Sequence, residues 1–243
     1  MIRGLYSSAS GAVSAVQAQQ VIVNNLANIA TTAFKRDIPL YESFSRILEK
    51  KMSQEEQGVR LRESFPDFSQ GRFVHTGNTF DLALEGEGFF VISTSQGIAY
   101  TRAGNFTLDS EGKLVTPNGF PVMGEDGPII IPGEKAQDVK FTPEGEVRVN
   151  GEIINRIRID FLPEPSLLYK VGNSLFKPYK GARVAEAKKT YLRQGYLELS
   201  NVEPIKEMVE LISNFRLYEV NQRVLQLQDD TLDKTCNQVG RIK

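Results

Sequence analysis

Charged side chains are missing from a long stretch near the start of this 243-residue chain. Between Arg3 and Lys35 there is no Asp, Glu, Lys or Arg. A helix on the surface of a monomer carries charges on its solvent-facing side. Here the corresponding positions hold Ser, Gln and Asn, which can hydrogen-bond to neighbours without the cost of burying a charge. The absence indicates a segment that is surrounded by protein on all sides.

Residues for catalysis and metal binding are also scarce. A single cysteine, Cys236, excludes an intramolecular disulfide framework. The single histidine, His75, excludes a His-paired triad or a multi-histidine metal site within one subunit. No Walker loop, zinc spacing or calcium loop is present, so no cofactor is predicted. Acids cluster only at Asp81, Glu85 and Glu87, which leaves a wall-cutting hydrolase as the enzymatic alternative.

Charge and hydropathy exclude two further classes of protein. The net charge of -1 argues against general nucleic-acid binding, which needs a basic stripe to displace counterions. No run of about 18 apolar residues exists, so no transmembrane helix is expected. The first residues lack a secretory signal. We therefore expect either a cytoplasmic protein or one that is exported without a cleaved signal.

Both ends of the chain carry a heptad pattern instead. Apolar residues near the start step by three and four, with one polar member: Ile2, Leu5, Ala9, Ala12, Val16, Gln19, Val23, Leu26 and Ala30. This spacing predicts a helix over roughly residues 5–30. A second series near the end has the same spacing: Met208, Leu211, Phe215, Tyr218, Gln222, Leu225, Asp229, Leu232, Cys236 and Val239. Either the two helices close a monomer as an antiparallel pair, or they assemble with other subunits.

The middle of the chain changes to a period of two. From Asp81 onward, short apolar strands alternate with turns rich in Gly, Pro and Asn, which predicts a compact β domain. Asn150-Gly151 is the strongest two-residue hairpin signal. Before it, residues 40–57 carry a weak helical pattern and residues 58–79 are extended. Ser200 or Asn201 is expected to cap the C-terminal helix, with Pro204 in its first turn.

The predicted class is therefore α+β, with long heptad helices at both ends forming a coiled-coil layer and an all-β domain inserted between them. The expected divisions are an N-terminal axial helix at 1–35, an arm with a short helix and an extended segment at 36–79, a β domain at 80–191, and a return strand with the C-terminal helix at 192–243. The bases Arg36, Lys188 and Lys189 are scattered and form no patch.

Three separated blocks resemble the flagellar basal-body rod and hook proteins. The first is Asn24-Asn25-Leu26-Ala27-Asn28-Ile29-Ala30-Thr31-Thr32-Ala33-Phe34-Lys35. The second runs from Leu82 to Phe90 and continues at Tyr100-Thr101-Arg102-Ala103-Gly104-Asn105-Phe106. The third runs from Gln194 to Val202 and on to Tyr218-Glu219. Ala33 stands where that family usually has Gly, which suggests a backbone without positive φ at this position.

The resemblance implies a structural subunit, not an enzyme, that assembles with itself into a helical tube and transmits torque. The terminal helices would line the tube, the β domain would face outward, and export would use the flagellar type III apparatus. Other rod proteins would lie above and below, and the place would be the periplasm-spanning basal body. The modest length favours a rod subunit, and the ending Asn237-Gln238-Val239-Gly240-Arg241 favours a proximal one.

The assembly interface expected from the two heptad series and the first block comprises Leu5, Ala9, Ala12, Val16, Gln19, Val23, Leu26, Asn28, Phe34, Met208, Leu211, Phe215, Tyr218, Gln222, Leu225 and Leu232. Alternatives are a distal rod or short hook-type subunit, the hydrolase, and a cytoplasmic coiled-coil adaptor.

Overall fold

The computed structural model describes residues 2–43, 59–132, 139–164, 167–179, 183–186 and 190–239. The chain divides into two compact units. Unit 1 comprises Met1–Ala27, Asp37–Phe65 and Glu203–Lys243, and unit 2 comprises Asn28–Arg36 and Pro66–Val202. The predicted α+β class is confirmed, with a helix at each end and a mostly β middle.

Unit 1 contains both long helices. Helix α1 spans Ile2–Ala27, and α2 spans Pro204–Val239. Pro204 is the first residue of α2, as predicted, because a missing N–H costs nothing in the first helical turn. The predicted caps are wrong: the Ser200 hydroxyl accepts from the Val202 N–H, and the Asn201 amide bonds to residues far along the chain.

A two-stranded sheet completes unit 1. Strands β1 (Asp37–Ser43) and β2 (Val59–Pro66) pair with each other. The short helix that we expected from residue 40 is therefore wrong for residues 40–43. Pairing with a strand distant in the sequence overrides the weak local helical pattern here. The rest of that predicted helix, from residue 44, lies outside the described residues.

Unit 2 is built from short antiparallel strands. They are β3 (Phe73–His75), β4 (Leu82–Glu85), β5 (Phe89–Thr94), β6 (Gly97–Thr101), β7 (Thr107–Leu108), β8 (Leu114–Val115), β9 (Met123–Gly124), β10 (Gly127–Pro128), β11 (Val139–Phe141), β12 (Glu146–Val149), β13 (Glu152–Arg156), β14 (Ile159–Phe161), β15 (Leu168–Gly172), β16 (Leu175–Pro178), β17 (Ala185–Glu186), β18 (Tyr191–Gln194) and β19 (Tyr196–Glu198). The largest sheet has the order β15-β16-β6-β5-β14-β17.

Long-range pairings return the end of unit 2 to its beginning. β18 pairs with β4, placing Leu192 opposite Leu84, and β19 pairs with β3, placing Glu198 opposite Phe73. The predicted Asn150-Gly151 hairpin is confirmed: it joins β12 to β13 with positive φ at both residues. The strands enclose two apolar clusters, of which the smaller contains Phe89 and Phe176. These contacts make unit 2 a scaffold that joins segments distant in the sequence.

Candidate functional site: the helix pair and a buried charge cluster

Helix α1 packs antiparallel to α2 through small residues. An added Cβ on Gly4 would lie 2.6 Å from the Gln228 amide nitrogen, and one on Gly11 would lie 3.1 Å from the Asn221 amide oxygen. We call the side of α1 formed by Gly4, Gly11, Ala15, Ala18, Ile22 and Asn25 the inner stripe. From Ala15 onward its members are buried. Close approach of the two backbones therefore depends on the lack of bulk on this side of α1.

The residues of α2 that meet the inner stripe are polar and recur every seven positions. They are Glu207, Asn214, Asn221 and Gln228. The Asn214 amide donates to the backbone carbonyl of Ala15 at 2.7 Å. The Asn25 amide donates to the Glu207 carboxylate at 3.2 Å, and both side chains are buried. Directional contacts of this kind define the register of the pair more strictly than apolar contacts do.

Asn25 also joins the helix pair to the first strand of unit 1. Its amide nitrogen donates to the Asp37 carbonyl at 2.9 Å, and its amide oxygen accepts from the Asp37 N–H at 2.9 Å. From the sequence, Asn25 was assigned to the uncharged outer side of the helix and to a family block, and this buried role was missed. The seven-residue spacing of the four polar positions on α2 was the signal that could have revealed it.

The predicted interface residues of α1 form a second stripe, offset by one position from the inner stripe. We call Leu5, Ala9, Ala12, Val16, Gln19, Val23 and Leu26 the outer stripe. Only Ala12 is buried, whereas Val16 is 38 % and Val23 49 % exposed, and the others are half-buried. The heptad series read from the sequence is therefore only partly covered within the single chain.

The predicted interface residues of α2 divide in the same way. Leu211, Tyr218, Leu225 and Leu232 are half-buried, and Met208, Phe215 and Gln222 are exposed. Further large apolar side chains are exposed along α2: Ile205, Val209, Ile212, Leu217, Val220 and Leu227. This helix presents apolar surface on more than one side.

A shallow groove lies between Gln19 of α1 and one side of α2. It has a volume of about 350 Å³ and is lined by Gln19, Leu211, Ile212, Phe215, Arg216 and Glu219. Three of the predicted interface residues, Gln19, Leu211 and Phe215, meet there. The structure thus brings part of the predicted set together around an apolar concavity with charges at one side.

Unit 2 contains a buried charge cluster built from all three sequence blocks. The Lys35 ammonium, from the first block, donates to the Glu198 carboxylate of the third at 2.7 Å. Arg102, from the central block, lies 3.6 Å from the other carboxylate oxygen. Arg102 also donates to the carbonyl groups of Leu84 at 3.3 Å and Gly86 at 2.7 Å, which holds the bend that follows β4.

Burial dominates the electrostatics of both cations. It lowers the pKa of the Lys35 ammonium, while the neighbouring Glu198 carboxylate acts in the opposite direction. Burial also lowers the pKa of the Arg102 guanidinium, again opposed by Glu198 and, more weakly, by Glu87. Desolvation thus outweighs pairing for each cation. We interpret the cluster as a device that fixes which segments meet, since a buried ion pair adds little net stability over an apolar one.

The backbone of Ala33 differs from the prediction. Because Ala stands where the family usually has Gly, we expected no positive φ here, but φ is 51°, in the left-handed region. The Ala33 N–H donates to the Glu198 carbonyl at 2.8 Å, so a long-range contact imposes this conformation. Phe34 follows and is buried, with the Lys170 ammonium 4.1 Å from its ring centre, and Asn28 is half-buried. Both belong to unit 2, unlike the rest of the predicted interface.

The acids considered for hydrolysis have separate surroundings. Asp81 is buried and accepts from the Asn78 amide at 3.1 Å, Glu85 accepts from Arg193 at 2.7 Å, and Glu87 is exposed. The His75 ring packs against the ring of Tyr196 at 4.9 Å between centres. Within the described ranges, no group of three His, Cys, Asp or Glu side chains is placed to hold a metal ion.

Among the described helices, none combines the length and the apolar character needed to cross a lipid bilayer.

Similarity to known proteins extends over almost the whole chain. Residues 83–149 match the family "Flagellar hook protein FlgE/F/G D1 domain", and residues 193–238 match "Flagellar basal body rod FlgEFG protein C-terminal". The flagellar basal-body rod protein FlgG of Borreliella burgdorferi is 32% identical over 96% of this chain and 97% of its own length. FlgG of Bacillus subtilis is 30% identical over 98% of this chain and 99% of its own. FlgF of Caulobacter vibrioides is 29% identical over 100% of this chain and 98% of its own. The chain belongs to the flagellar basal-body rod protein family.

Proposed function

We propose that this protein is a structural subunit of the flagellar basal-body rod, which assembles with copies of itself into a helical tube that transmits torque. The observation that carries the proposal is the division of α1 into two stripes. The inner stripe is occupied within the chain, while the outer stripe and several sides of α2 leave apolar residues such as Val23 and Leu227 exposed. Neighbouring subunits would cover these surfaces.

The absence of charge on α1 after Arg3 supports the same function. A helix at the surface of a monomer would be solvated by charged residues. Here Val13 and Tyr6 stand among Ser, Gln and Asn on the exposed side of α1. Covering this side with protein removes apolar surface from water at a gain of roughly 25 cal/mol per Å², with no charge to desolvate. The terminal helices would thereby form a coiled-coil layer of the tube.

The proposed partners follow from this arrangement. Copies of this chain are the main partner, other rod proteins lie above and below, and the flagellar export apparatus delivers the subunit without a cleaved signal. The matched relatives carry both names, FlgG and FlgF, so the position along the rod stays a prediction, with the proximal end favoured by the C-terminal sequence. We propose no enzymatic activity, since Asp81 and Glu85 hydrogen-bond to neighbouring side chains within unit 2.

Fractionation of purified basal bodies tests the proposed function. After detergent and acid remove the membrane components, the chain should remain with the rod, and a crosslinker should join it to further copies of itself. A chain that stays soluble in the cytoplasm would reject the proposal in favour of the adaptor. The hydrolase alternative is tested by the triple variant Asp81→Asn/Glu85→Gln/Glu87→Gln. We expect wall digestion to be unchanged in this variant, which would reject the hydrolase.

A further inference from the structure

The chain passes between its two units four times, after Ala27, Arg36, Phe65 and Val202. At the last three of these passages, the residues at the boundary of unit 2 are hydrogen-bonded to one another. The Asp67 N–H donates to the Arg36 carbonyl at 2.7 Å, which joins the second passage to the third. The last passage begins just after Asn201, whose side chain meets both of these residues.

The Asn201 amide joins the three connections. Its oxygen accepts from the Arg36 N–H at 2.7 Å. Its nitrogen donates to the carbonyl groups of Asp67 at 2.8 Å and Ser69 at 3.1 Å, and lies 3.0 Å from the Ser69 hydroxyl. The Asn201 N–H donates to the Phe34 carbonyl at 3.3 Å. One planar amide that both accepts and donates is needed for this set, and a carboxylate or an apolar side chain cannot supply it.

The buried charge cluster adds a second set of cross-links beside the hydrogen bonds of Asn201. The Lys35 ammonium donates to the Ser69 carbonyl at 2.8 Å as well as to the Glu198 carboxylate at 2.7 Å. The Gly71 N–H donates to the same carboxylate oxygen at 2.8 Å. The segments 34–36, 67–71 and 198–201 of unit 2 are therefore cross-linked by side chains at two successive levels.

We propose that the segments 34–36, 67–71 and 198–201 form a torsionally stiff stem at the boundary of unit 2, and that Asn201 is its positioning residue. A single peptide connection can rotate about two soft dihedral angles per residue, so it transmits little torque. Three connections whose ends in unit 2 are hydrogen-bonded to one another cannot rotate independently at those ends. The inference rests on the proposed function, because stiffness of the stem matters only for a subunit that carries torsion.

The variant Asn201→Asp tests the stem with a nearly unchanged shape. It replaces the amide donor by an acceptor that faces the carbonyl groups of Asp67 and Ser69. In the purified chain, peptides covering 34–37, 66–71 and 199–202 should exchange amide hydrogens together and about tenfold faster, the effect of losing one net hydrogen bond. Peptides from β5 and β6 should be unchanged. Asn173→Asp, at an exposed turn residue, is the matched control.

In cells, Asn201→Asp should give a normal number of basal-body rods but a swimming speed that falls more steeply with viscosity than in the control. Equal speed–viscosity curves would overturn the proposal, as would faster exchange throughout unit 2, because Asn201 would then support the whole unit. Asn201→Ala, which adds no charge, must behave in the same way. If the unmodified chain is absent from rods, the proposed function fails, while exchange in the purified chain still tests the cross-linked stem.

Discussion

The ammonium of Lys35 lies 2.7 Å from the carboxylate of Glu198, although 163 residues separate them and both side chains are almost completely buried. The contact joins the block that follows α1 to the block that precedes α2. It is formed inside unit 2 and not in the helix pair. Within unit 2, charge thus holds together the two segments that flank the helices in the sequence, while the helices of unit 1 meet each other through small and amide side chains.

Glu198→Gln should lower the free energy of unfolding of unit 2 by about 3–5 kcal/mol, because it leaves the buried Lys35 charge without its counter-ion. Denaturant unfolding followed by near-ultraviolet circular dichroism measures this. The matched control is Glu146→Gln in the exposed Arg148–Glu146 pair, which should cost less than about 1 kcal/mol. A Glu198 variant as stable as the control would show that unit 2 does not need the buried charge cluster for its stability. The double variant Lys35→Met/Glu198→Gln should recover only part of the loss, because it removes one of the two buried cations that face Glu198 and leaves Arg102 without its counter-ion.

Substitutions at Gly11 and Asn221 should have non-additive effects on the stability of the helix pair. Gly11→Ala places a methyl group 3.1 Å from the Asn221 amide oxygen, tighter than ordinary contact, and should loosen the helix pair. Asn221→Ala makes room for that methyl group, so the double variant should be more stable than the sum of the single effects predicts, by about 1 kcal/mol. Hydrogen exchange of α1 amides provides the measurement. Additive effects would contradict the contact.

Ala33→Val should destabilise unit 2 by about 1–3 kcal/mol, since a β-branched residue is strained in the left-handed region. Ala33→Gly should change stability by less, because relief of backbone strain is offset by loss of a buried methyl group and by a more flexible unfolded chain. Thermal unfolding of both variants, with the exposed Ala30→Val as control, distinguishes them. Equal stability of the Val and Gly variants would contradict the backbone assignment.

Tyr100 should make unit 2 less stable at alkaline pH. Burial, together with the nearby Asp160 carboxylate, raises the pKa of the Tyr100 phenol above 10.0, while Arg158 opposes the shift. Between pH 10.0 and the raised pKa, the unfolded chain loses the phenol proton and the folded chain keeps it, so stability falls as the pH rises.

The variant Tyr100→Phe removes this component. The difference in unfolding free energy between the unmodified chain and the variant should therefore shrink as the pH rises through 10 and above. Urea unfolding at a series of alkaline pH values measures the difference. A difference that does not depend on pH would show that the phenol titrates alike in the folded and unfolded chain.

The elements that the sequence predicted well are those fixed by local chemistry. Asn150-Gly151 supplies two residues that tolerate positive φ, and Pro204 is favoured in the first turn of a helix because its missing N–H has no partner there. Period-two alternation likewise indicated the β domain. In each case neighbouring residues determine the outcome, so no knowledge of distant contacts is needed.

The misses come from contacts between residues far apart in the sequence. Residue Ala33 adopts positive φ because Glu198 holds its N–H, and Asp37–Ser43 is a strand because β2 pairs with it. Lys35 is a residue type that is almost never fully buried, and its burial depends on Glu198. Local propensity contains no information about these partners.

The inner stripe was missed for a different reason. The heptad series follows the register of the largest apolar residues of α1, such as Val16 and Val23. The pair within the chain instead uses Gly11 and Ala15, which let the helices approach, together with amides such as Asn214 that reach backbone carbonyls. The pattern found in the sequence marks a surface that the single chain leaves partly exposed.

The substitution Val16→Glu tests most directly whether the outer stripe is a subunit interface. Val16 is exposed in the chain, so the purified variant should unfold within about 0.5 kcal/mol of the unmodified protein. In a tube the new carboxylate would be buried without a partner, at a cost of several kcal/mol per copy. The control Gln226→Glu adds the same charge at an exposed position of α2. Counting rods in isolated basal bodies should give none for Val16→Glu and a normal number for the control. Normal rods in the Val16→Glu strain would contradict the account.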